Sequence, residues 1–301
     1  MPSAWPWLHV AMQLQDALGQ FQVQLRADGR SGHTRNQYQR HVASLIAWLT
    51  AANRPTELEA ITPAVVAEFF ASDAAGTSAR GGRKKATSAN AQRTSLRCFF
   101  RWAHESGLTP TNAARLLKRA RCTAPPPKAL HPDEQERLLE VLRTADGPEA
   151  RRDEMLVHLL LRSGVRIGSA LGLDVADLDF THGEIHCRSA KGNRPATIVM
   201  AKDLATRLRA FLDGRKDGPA FVAGDRRASI RHMQRRLAYW LAKAGLRGRS
   251  AHALRHTYAM RIYGETGDLQ LTQQALGHAS ITSTVIYARV DRSRLRAAVG
   301  A

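Results

Sequence analysis

The sequence is poor in cysteine and has no long apolar run. Its three cysteines, Cys98, Cys122 and Cys187, are scattered and odd in number, without Cys-x-x-Cys spacing. They argue against a disulfide framework, fit a reducing cytoplasm and are expected to serve in packing. No uninterrupted apolar stretch approaches the ~20 residues needed to cross a bilayer, so no membrane partner is expected. The beginning of the chain lacks a basic stretch followed by an apolar core, so we expect no signal peptide.

Acidic residues are also scarce. The chain has 26 Asp and Glu residues against 45 Lys and Arg residues, which gives a formal net charge of +19. A basic protein with an ordinary solvated surface is one explanation, but an excess of this size favours a polyanionic partner, and double-stranded DNA is the one we expect. Hydrophobic residues make up 44% of the chain, enough to fill the cores of the two domains that its length suggests.

The chain divides at three consecutive prolines, Pro125 to Pro127. Because proline favours extended polyproline geometry, residues 123–130 are expected to form a semi-rigid linker between domains over residues 1–122 and 131–301. Ahead of the linker, apolar residues recur at helical spacing and predict an N-terminal helical bundle. Its predicted helices span residues 8–27, 34–52, 63–75 and 87–105.

The second domain has a mixed pattern. A helix is expected to open at His131, whereas residues 175–199 alternate turn-like segments with short apolar runs and predict strands. The fold class is therefore mainly α, with a small antiparallel β-sheet in an α+β C-terminal domain and Lys191 at a hairpin tip. The other predicted helices span residues 152–163, 201–213, 229–244 and 252–264. The core stripe expected on the helix from 229 is Ile230, Met233, Leu237, Trp240 and Leu241.

One predicted helix carries a basic stripe. Arg93, Arg97 and Arg101 recur at i, i+4 and i+8, while the apolar residues of the same helix fall on the opposite side. A solvated face would normally mix acids with bases, so the stripe favours contact with the DNA backbone. The further candidates for DNA contact are Lys84 and Lys85 in the preceding basic loop and Arg231 and Arg235 in the second domain.

Six side chains of the second domain suit phosphoryl transfer to a tyrosine without a metal ion. Arginine clamps phosphate oxygens through a fork of donors. Histidine can move protons near neutral pH, and a phenol can become a covalently bound nucleophile. In chain order the six are Arg166, Lys191, His252, Arg255, His278 and Tyr287.

This order of Arg, Lys, His-x-x-Arg, His and Tyr, with these spacings, resembles the tyrosine recombinase (phage integrase) family and its Xer-like site-specific recombinases. The resemblance covers about residues 131–295 and is carried by the set as a whole. It implies a helical core-binding domain that clamps DNA opposite the catalytic domain. It also implies catalysis without a metal ion, cofactor or ATP, by monomers that assemble as a homotetramer on DNA and dock their C-terminal tails in trans.

The resemblance assigns roles within this series. Tyr287 attacks the scissile phosphodiester and forms a 3′-phosphotyrosine, with His252 as the candidate base. Arg166 and Arg255 neutralise the charge that develops on the non-bridging oxygens. The 5′-hydroxyl of a partner duplex then attacks the phosphotyrosine and rejoins the DNA.

Two further roles fall to Lys191 and His278. The resemblance implies that Lys191 protonates the departing 5′ oxygen and that His278 hydrogen-bonds the scissile phosphate. A lysine in a turn is by itself an ordinary surface residue, and only the complete series distinguishes Lys191. Arg188 and Arg194 are rivals for phosphate contact near the same hairpin.

Two features stand beside the resemblance. The family usually has an acidic residue three positions after its first arginine, where this chain has Ser169. Two consequences are open: activity is slower than is usual in the family, or it depends on another acid such as Asp174 or Asp177. His252 and His256 at i and i+4 could instead be zinc ligands, but Ala253 stands where that motif needs glutamate. His256 is expected to be structural rather than catalytic.

Three functions remain open on the sequence alone. The first is a site-specific recombinase that serves integration, excision or resolution of mobile DNA or of replicon dimers. The second is a type IB-like topoisomerase, which shares most of these residues. The third is a catalytically weak DNA-binding protein on a recombinase scaffold. The separate basic helical domain favours the first over the second, and the intact series of six disfavours the third.

Overall fold

The computed structural model describes residues 11–78, 81–122, 127–188, 195–277 and 284–288. Packing divides the chain into two compact units, Met1–Ala124 and Pro125–Ala301. The predicted fold class, mainly helical with a small antiparallel sheet, is confirmed. No helix within the described ranges is long and apolar enough to cross a membrane.

The first unit is built from helices. They are α1 (Leu14–Ala27), α2 (Gly32–Ala51), α3 (Pro63–Ala71), α4 (Asp73–Gly76) and α5 (Ala86–Glu105), with a 3-10 turn at Leu58–Ala60. The predicted helix over 63–75 is split at Ser72, whose backbone is extended with φ −80° and ψ 159°. Thr62 starts α3 by accepting a hydrogen bond from the amide of Val65, and Pro63 occupies the first turn, where its missing N–H costs nothing.

The core of the first unit lies between α1, α2 and α5. The predicted inner face of α5 is confirmed, since Leu96, Phe99, Phe100 and Ala103 are fully buried. Phe21 of α1 meets Phe99 edge to face, with ring centroids 5.5 Å apart. Burying one such ring stabilises the fold by about 1.5–3 kcal/mol. Because the apolar face of α5 packs inward, the opposite, basic side of the helix faces outward.

The second unit contains eight helices and five short strands among its described residues. The elements are α6 (Pro132–Arg143), α7 (Pro148–Ser163), α8 (Ile167–Gly172), a 3-10 turn (Val175–Asp177), β1 (Leu178–Asp179), β2 (Glu184–Cys187), β3 (Ala196–Val199), α9 (Lys202–Leu212), β4 (Val222–Ala223), β5 (Arg226–Arg227), α10 (Ile230–Lys243), α11 (Ala251–Thr266), α12 (Leu269–Leu276) and α13 (Val285–Ala288). The strands β1, β2 and β3 form an antiparallel sheet in that order, in which Ile185 lies opposite both Leu178 and Ile198.

Helix α7 runs through the core of this unit, with Leu159 and Leu160 fully buried. Gly164 ends it in the left-handed conformation, with φ 62°. The segment before α6 is also held in this core: Leu130, assigned to the linker by sequence, is buried, and its amide donates to the hydroxyl of Thr257 over 2.7 Å. The second unit therefore begins before residue 131.

Helix α10 departs from the prediction at its first residue. Met233, Leu237, Trp240 and Leu241 are buried as expected, but Ile230 is 47% exposed. The reason is its place in the first turn, where the Ile230 side chain reaches only the surface of α8: a Cβ added at Gly168 would lie 3.4 Å from the Ile230 Cδ1 atom. Helical periodicity identified the stripe but could not show where the core ends along it.

Candidate active site and basic groove

Arg166 lies at the junction between α7 and α8. Its backbone caps the start of α8, and its side chain is half-buried. Burial lowers the pKa of the Arg166 guanidinium, and the nearby Cys187 thiol opposes that shift. The turn before it depends on glycine, because a Cβ at Gly164 would lie 2.3 Å from the Cδ1 atom of Tyr258. Gly164 thus lets α11, which carries Tyr258, approach the end of α7 closely.

Arg255 projects from α11 into this junction and is only 3% exposed. Its guanidinium donates to the carbonyl oxygen of Gly164 and, over 2.8 Å, to that of Leu276. Both carbonyls lie at helix C-terminal ends, where partial negative charge suits a cation. Burial, followed by the charge of Arg166, lowers the Arg255 pKa to about 10. The Arg255 side chain therefore stays charged at neutral pH, and its hydrogen bonds to the two helix ends fix the orientation of the guanidinium.

His252 occupies the preceding turn of α11 on the accessible side of the cluster. Its pKa is lowered first by partial desolvation and then by the charges of Arg255 and Arg166. The lowered pKa keeps the imidazole neutral at pH 7, the protonation state that can accept a proton. His252 thus lies in the positive field of both arginines.

Tyr287 belongs to α13, which packs against α11. The ring is 1% exposed and shares an apolar cluster with Tyr258 and Leu276. Burial raises the pKa of the phenol, and the charge of Arg255 partly opposes this shift. The hydroxyl lies 2.9 Å from Nδ1 of His256. Sequence reasoning gave His256 a structural role and missed this contact, although its position one turn after His252 on the same stripe was a signal.

The structure thus brings four members of the predicted series together. Lys191 and His278, and the rival Arg194, lie outside the described residues. Two described neighbours of those segments border the cluster. Cys187, the last residue of β2, acts electrostatically on both arginines, and a Cβ at Gly277 would lie 3.5 Å from the Cβ of Ala196 at the start of β3. The four members are Arg166, His252, Arg255 and Tyr287.

The expected acidic support for the series has other partners. Asp174 pairs with Arg188 and with Arg227, and Asp177 lies 2.9 Å from Arg188. Within the described residues, no ion pair joins Asp174 or Asp177 to Arg166. Asp174 instead joins Arg188, which follows β2, to Arg227 of β5, and Asp177 adds a second contact with Arg188. Arg188, a rival for phosphate contact, is held in this network, whose hydrogen bonds also lower the pKa of Asp174.

The basic stripe of α5 is divided between two environments. Arg97 and Arg101 are exposed and line a cavity of about 590 Å³ together with Arg30, Arg115 and Arg119. We call the surface formed by these five arginines the basic groove. Arg93 instead stacks over the Phe70 ring, 4.9 Å from its centroid. Arg101 has one acidic neighbour, Glu105, at 3.9 Å in an exposed pair, which contributes little energy.

The other candidates for DNA contact also differ in their surroundings. Lys84 is half-buried and donates to Oε1 of Gln92 over 2.8 Å, so it has a partner within its own unit. Lys85 is exposed at the start of α5. Arg231 and Arg235 are exposed on α10 in the second unit.

Two family models match the chain. The model described as the phage integrase family matches residues 128–294. The chain belongs to the phage integrase family. A second model, the phage integrase N-terminal SAM-like domain, matches residues 18–107. The two matches give an integrase catalytic domain preceded by a SAM-like helical domain, which confirms the family predicted from the series of six.

Relatives of the integrase family align with most of the chain. This chain is 32% identical over 282 residues to the tyrosine recombinase XerC of Mycobacterium tuberculosis, and the alignment covers 89% of this chain and 92% of that protein. It is 28% identical to the tyrosine recombinase XerD of Ralstonia nicotianae, with 89% and 87% covered. These relatives favour the recombinase interpretation over the topoisomerase and the weak DNA-binding protein.

Solved structures of integrase-family proteins share the fold. The site-specific recombinase XerH, bound to a palindromic difH substrate after cleavage, superposes with a TM-score of 0.74 at 21% identity, covering 94% of this chain and 83% of that one. A lambda integrase dimer bound to a COC′ core site superposes with a TM-score of 0.69 at 20% identity, covering 94% and 79%. At such identities the likeness establishes the fold.

Proposed function

We propose that this member of the integrase family is a site-specific recombinase that cuts and rejoins double-stranded DNA through Tyr287. One observation carries the proposal: the buried Tyr287 ring packs in one cluster with Leu276, and the carbonyls of Leu276 and Gly164 fix the Arg255 guanidinium. A nucleophile beside a preorganised phosphate clamp is the arrangement that in-line attack on a phosphodiester requires.

In the first step the Tyr287 oxygen attacks the scissile phosphorus while the bond to the 5′ oxygen breaks. Arg255 and Arg166 bind the non-bridging oxygens, where negative charge increases. Neutral His252 accepts the phenolic proton as the base. Because burial raises the pKa of the phenol, the charge of Arg255 offsets part of the cost of forming the phenolate.

The remaining steps use residues that the family resemblance supplies. Lys191 gives a proton to the departing 5′ oxygen, and His278 donates a hydrogen bond to the phosphate. The 5′-hydroxyl of a partner duplex then attacks the 3′-phosphotyrosine, which releases Tyr287 and restores a phosphodiester. One ester replaces another, so the reaction needs no ATP. Whether the outcome is integration, excision or resolution of replicon dimers depends on the DNA sites.

The first unit is proposed to hold the DNA. Five arginines from three segments of the chain converge on the basic groove, and such a groove binds a phosphate backbone without regard to sequence. This surface would make residues 1–122 the core-binding domain. Lys85, exposed at the start of α5, would be a further contact from the first unit, while Arg231 and Arg235 would contact DNA from the catalytic domain.

Assembly on DNA follows from exchange between two duplexes. Each duplex is cut on both strands during a complete exchange, so four protomers are required. We propose monomers in solution that form a homotetramer on paired sites. Leu295 and Val299, at i and i+4 in the tail after Tyr287, would dock on the neighbouring protomer.

The experiment begins with a pool of nicked duplexes with a randomised core. Covalent capture by the protein, followed by a denaturing wash, selects the sites that it cleaves. Two selected duplexes of different length are then incubated with the protein. A recombinase exchanges their ends and yields products of two new lengths. Relaxation of a supercoiled plasmid that lacks the site, without any exchange, would instead identify a topoisomerase, and capture of nothing would identify a DNA-binding protein.

A further inference from the structure

We propose that His256 is a positioning residue for the tyrosine nucleophile, and that its Nδ1 atom holds the Tyr287 hydroxyl beside Arg255. The inference rests on the proposed function, since it takes Tyr287 as the nucleophile. It adds a seventh side chain to the six that the sequence series supplies.

The contact is direct and well oriented. The Tyr287 oxygen lies 2.9 Å from His256 Nδ1, a normal hydrogen-bond length. The two rings meet at 64° with centroids 5.7 Å apart. His252, the candidate base, stands one turn earlier on α11, with its ring centroid 5.1 Å from that of His256. The described geometry therefore puts His256 in direct contact with the phenol and His252 next to His256 on the same helix.

The surroundings give this hydrogen bond its importance. Tyr287 is 1% exposed and packs in an apolar cluster with Tyr258 and Leu276. An unpaired hydroxyl in such a place is costly, so the phenol favours the one orientation in which it is paired. The other end of the arrangement is also fixed, because Arg255 on the same helix is held by two backbone carbonyls. The positions of the nucleophile, Tyr287, and of the phosphate clamp, Arg255, are therefore both fixed relative to α11.

The chemistry of His256 favours positioning over proton removal. Burial, then the charges or dipoles of His252 and Arg255, lowers the His256 pKa to about 4. Burial meanwhile raises the pKa of the Tyr287 phenol. Transfer of the proton from the phenol to His256 is therefore strongly unfavourable. Before the attack, a neutral imidazole protonated at Nε2 instead accepts the phenolic hydrogen bond at Nδ1. When the oxygen attacks the phosphorus, its proton leaves this hydrogen bond and passes to His252, the candidate base.

Three substitutions at one position separate this role from simple packing. His256→Asn keeps a polar atom near the place of Nδ1, whereas His256→Gln puts its polar atoms near the place of Nε2. His256→Leu has neither. The hydrogen bond therefore predicts that Asn, and not Gln, replaces histidine, while packing alone would rank the three by volume and polarity.

The first measurement needs no DNA. The protein and each variant are labelled with 3-fluorotyrosine, and the fluorine resonance of Tyr287 is assigned as the one missing from Tyr287→Phe. We expect His256→Leu and His256→Gln to shift this resonance and His256→Asn to keep it near the wild-type position. A resonance that is the same in all four proteins would show that the contact does not exist in solution and would overturn the inference.

The second measurement is single-turnover covalent trapping on a nicked duplex selected from the randomised pool. Loss of the bond should slow trapping by about tenfold in His256→Leu and His256→Gln at saturating protein, with DNA binding unchanged. His256→Asn should recover to within about twofold of wild type, since its bond has ordinary strength. Trapping by His256→Asn as slow as by His256→Gln contradicts a positioning role, and this comparison still decides if His256→Leu does not fold.

The same variants separate this inference from the proposed function. If Tyr287→Phe still traps DNA, the nucleophile is another residue and the proposed function fails, whatever the fluorine spectra show. If Tyr287→Phe traps nothing and the His256 variants all trap at the wild-type rate, Tyr287 remains the nucleophile and only the role of His256 is overturned.

Discussion

The basic groove leads to a quantitative prediction about salt. Arg97 and Arg101 line the groove, whereas Arg93, one turn earlier on the same helix, stacks on Phe70. Each phosphate contact contributes about 0.9 to the slope of log affinity against log salt concentration. The double substitution Arg97→Gln with Arg101→Gln should therefore reduce the slope by about 1.8. Between about 50 and 200 mM salt, that variant should lose about twelvefold less affinity than wild type.

Arg93→Gln is the control, because it removes one positive charge from the same helix, where the double variant removes two. Its stacking on Phe70 stabilises the first unit by about 0.5–1 kcal/mol, so its loss should lower the unfolding midpoint and leave the salt slope near that of wild type. The assay is a fluorescence anisotropy titration of a labelled duplex of arbitrary sequence at several salt concentrations. A slope lowered by about 0.9 in Arg93→Gln, or left unchanged in the double variant, would refute the assignment of the groove.

Three further predictions concern the active site and the stability of each unit. Cleavage of a selected nicked duplex should persist in EDTA, because arginine and lysine side chains supply the positive charge that neutralises the phosphate. Loss of cleavage that magnesium restores, with DNA binding unchanged, would contradict this prediction. Gly164→Ala should destabilise the protein by about 1–3 kcal/mol, since the φ of Gly164 is positive and an added Cβ would meet Tyr258. Gly172→Ala should not, because the space around its Cβ is open. Urea unfolding of the two variants tests this difference. Burial lowers the pKa of His41 to about 4, below its unfolded value of about 6.5. Between these two pH values the unfolded state binds more protons than the folded state. The free energy of unfolding should therefore fall as the pH drops from 6.5 towards 4. His41→Asn, which does not titrate, should flatten that decline in urea unfolding at pH 7 and pH 5.

Much of the fold could be predicted from patterns among residues that are close in the sequence. Helical periodicity predicted the inner face of α5 and the end of α7 at residue 163, because both features depend on neighbours within a few residues. The break at Ser72 and the exposure of Ile230 could not be predicted, since they depend on where distant parts of the core end. The two-residue strands β4 and β5 were missed for a similar reason: they are too short for an alternating pattern.

The candidate site was predictable in its members but not in its contacts. His252, Arg255 and Tyr287 could be proposed from the sequence because the order and spacing of the whole series resemble those of the tyrosine recombinase family. Their hydrogen bonds depend on tertiary approach. Nothing in the sequence indicated that Arg255 would donate to the carbonyls of two helix ends or that Arg93 would leave the stripe for Phe70. The position of His256 one turn after His252 was a signal, but its contact with the phenol depends on where α13 packs.

The identity of the covalently bound residue tests the central claim most directly. The protein is trapped on a selected nicked duplex, digested with protease and nuclease, and the peptide that carries the nucleotide is sequenced by mass spectrometry. We expect the nucleotide on Tyr287, joined through a 3′ phosphate, and no adduct with Tyr287→Phe. A nucleotide on Tyr258 or Tyr263, or one joined through a 5′ phosphate, would contradict the account.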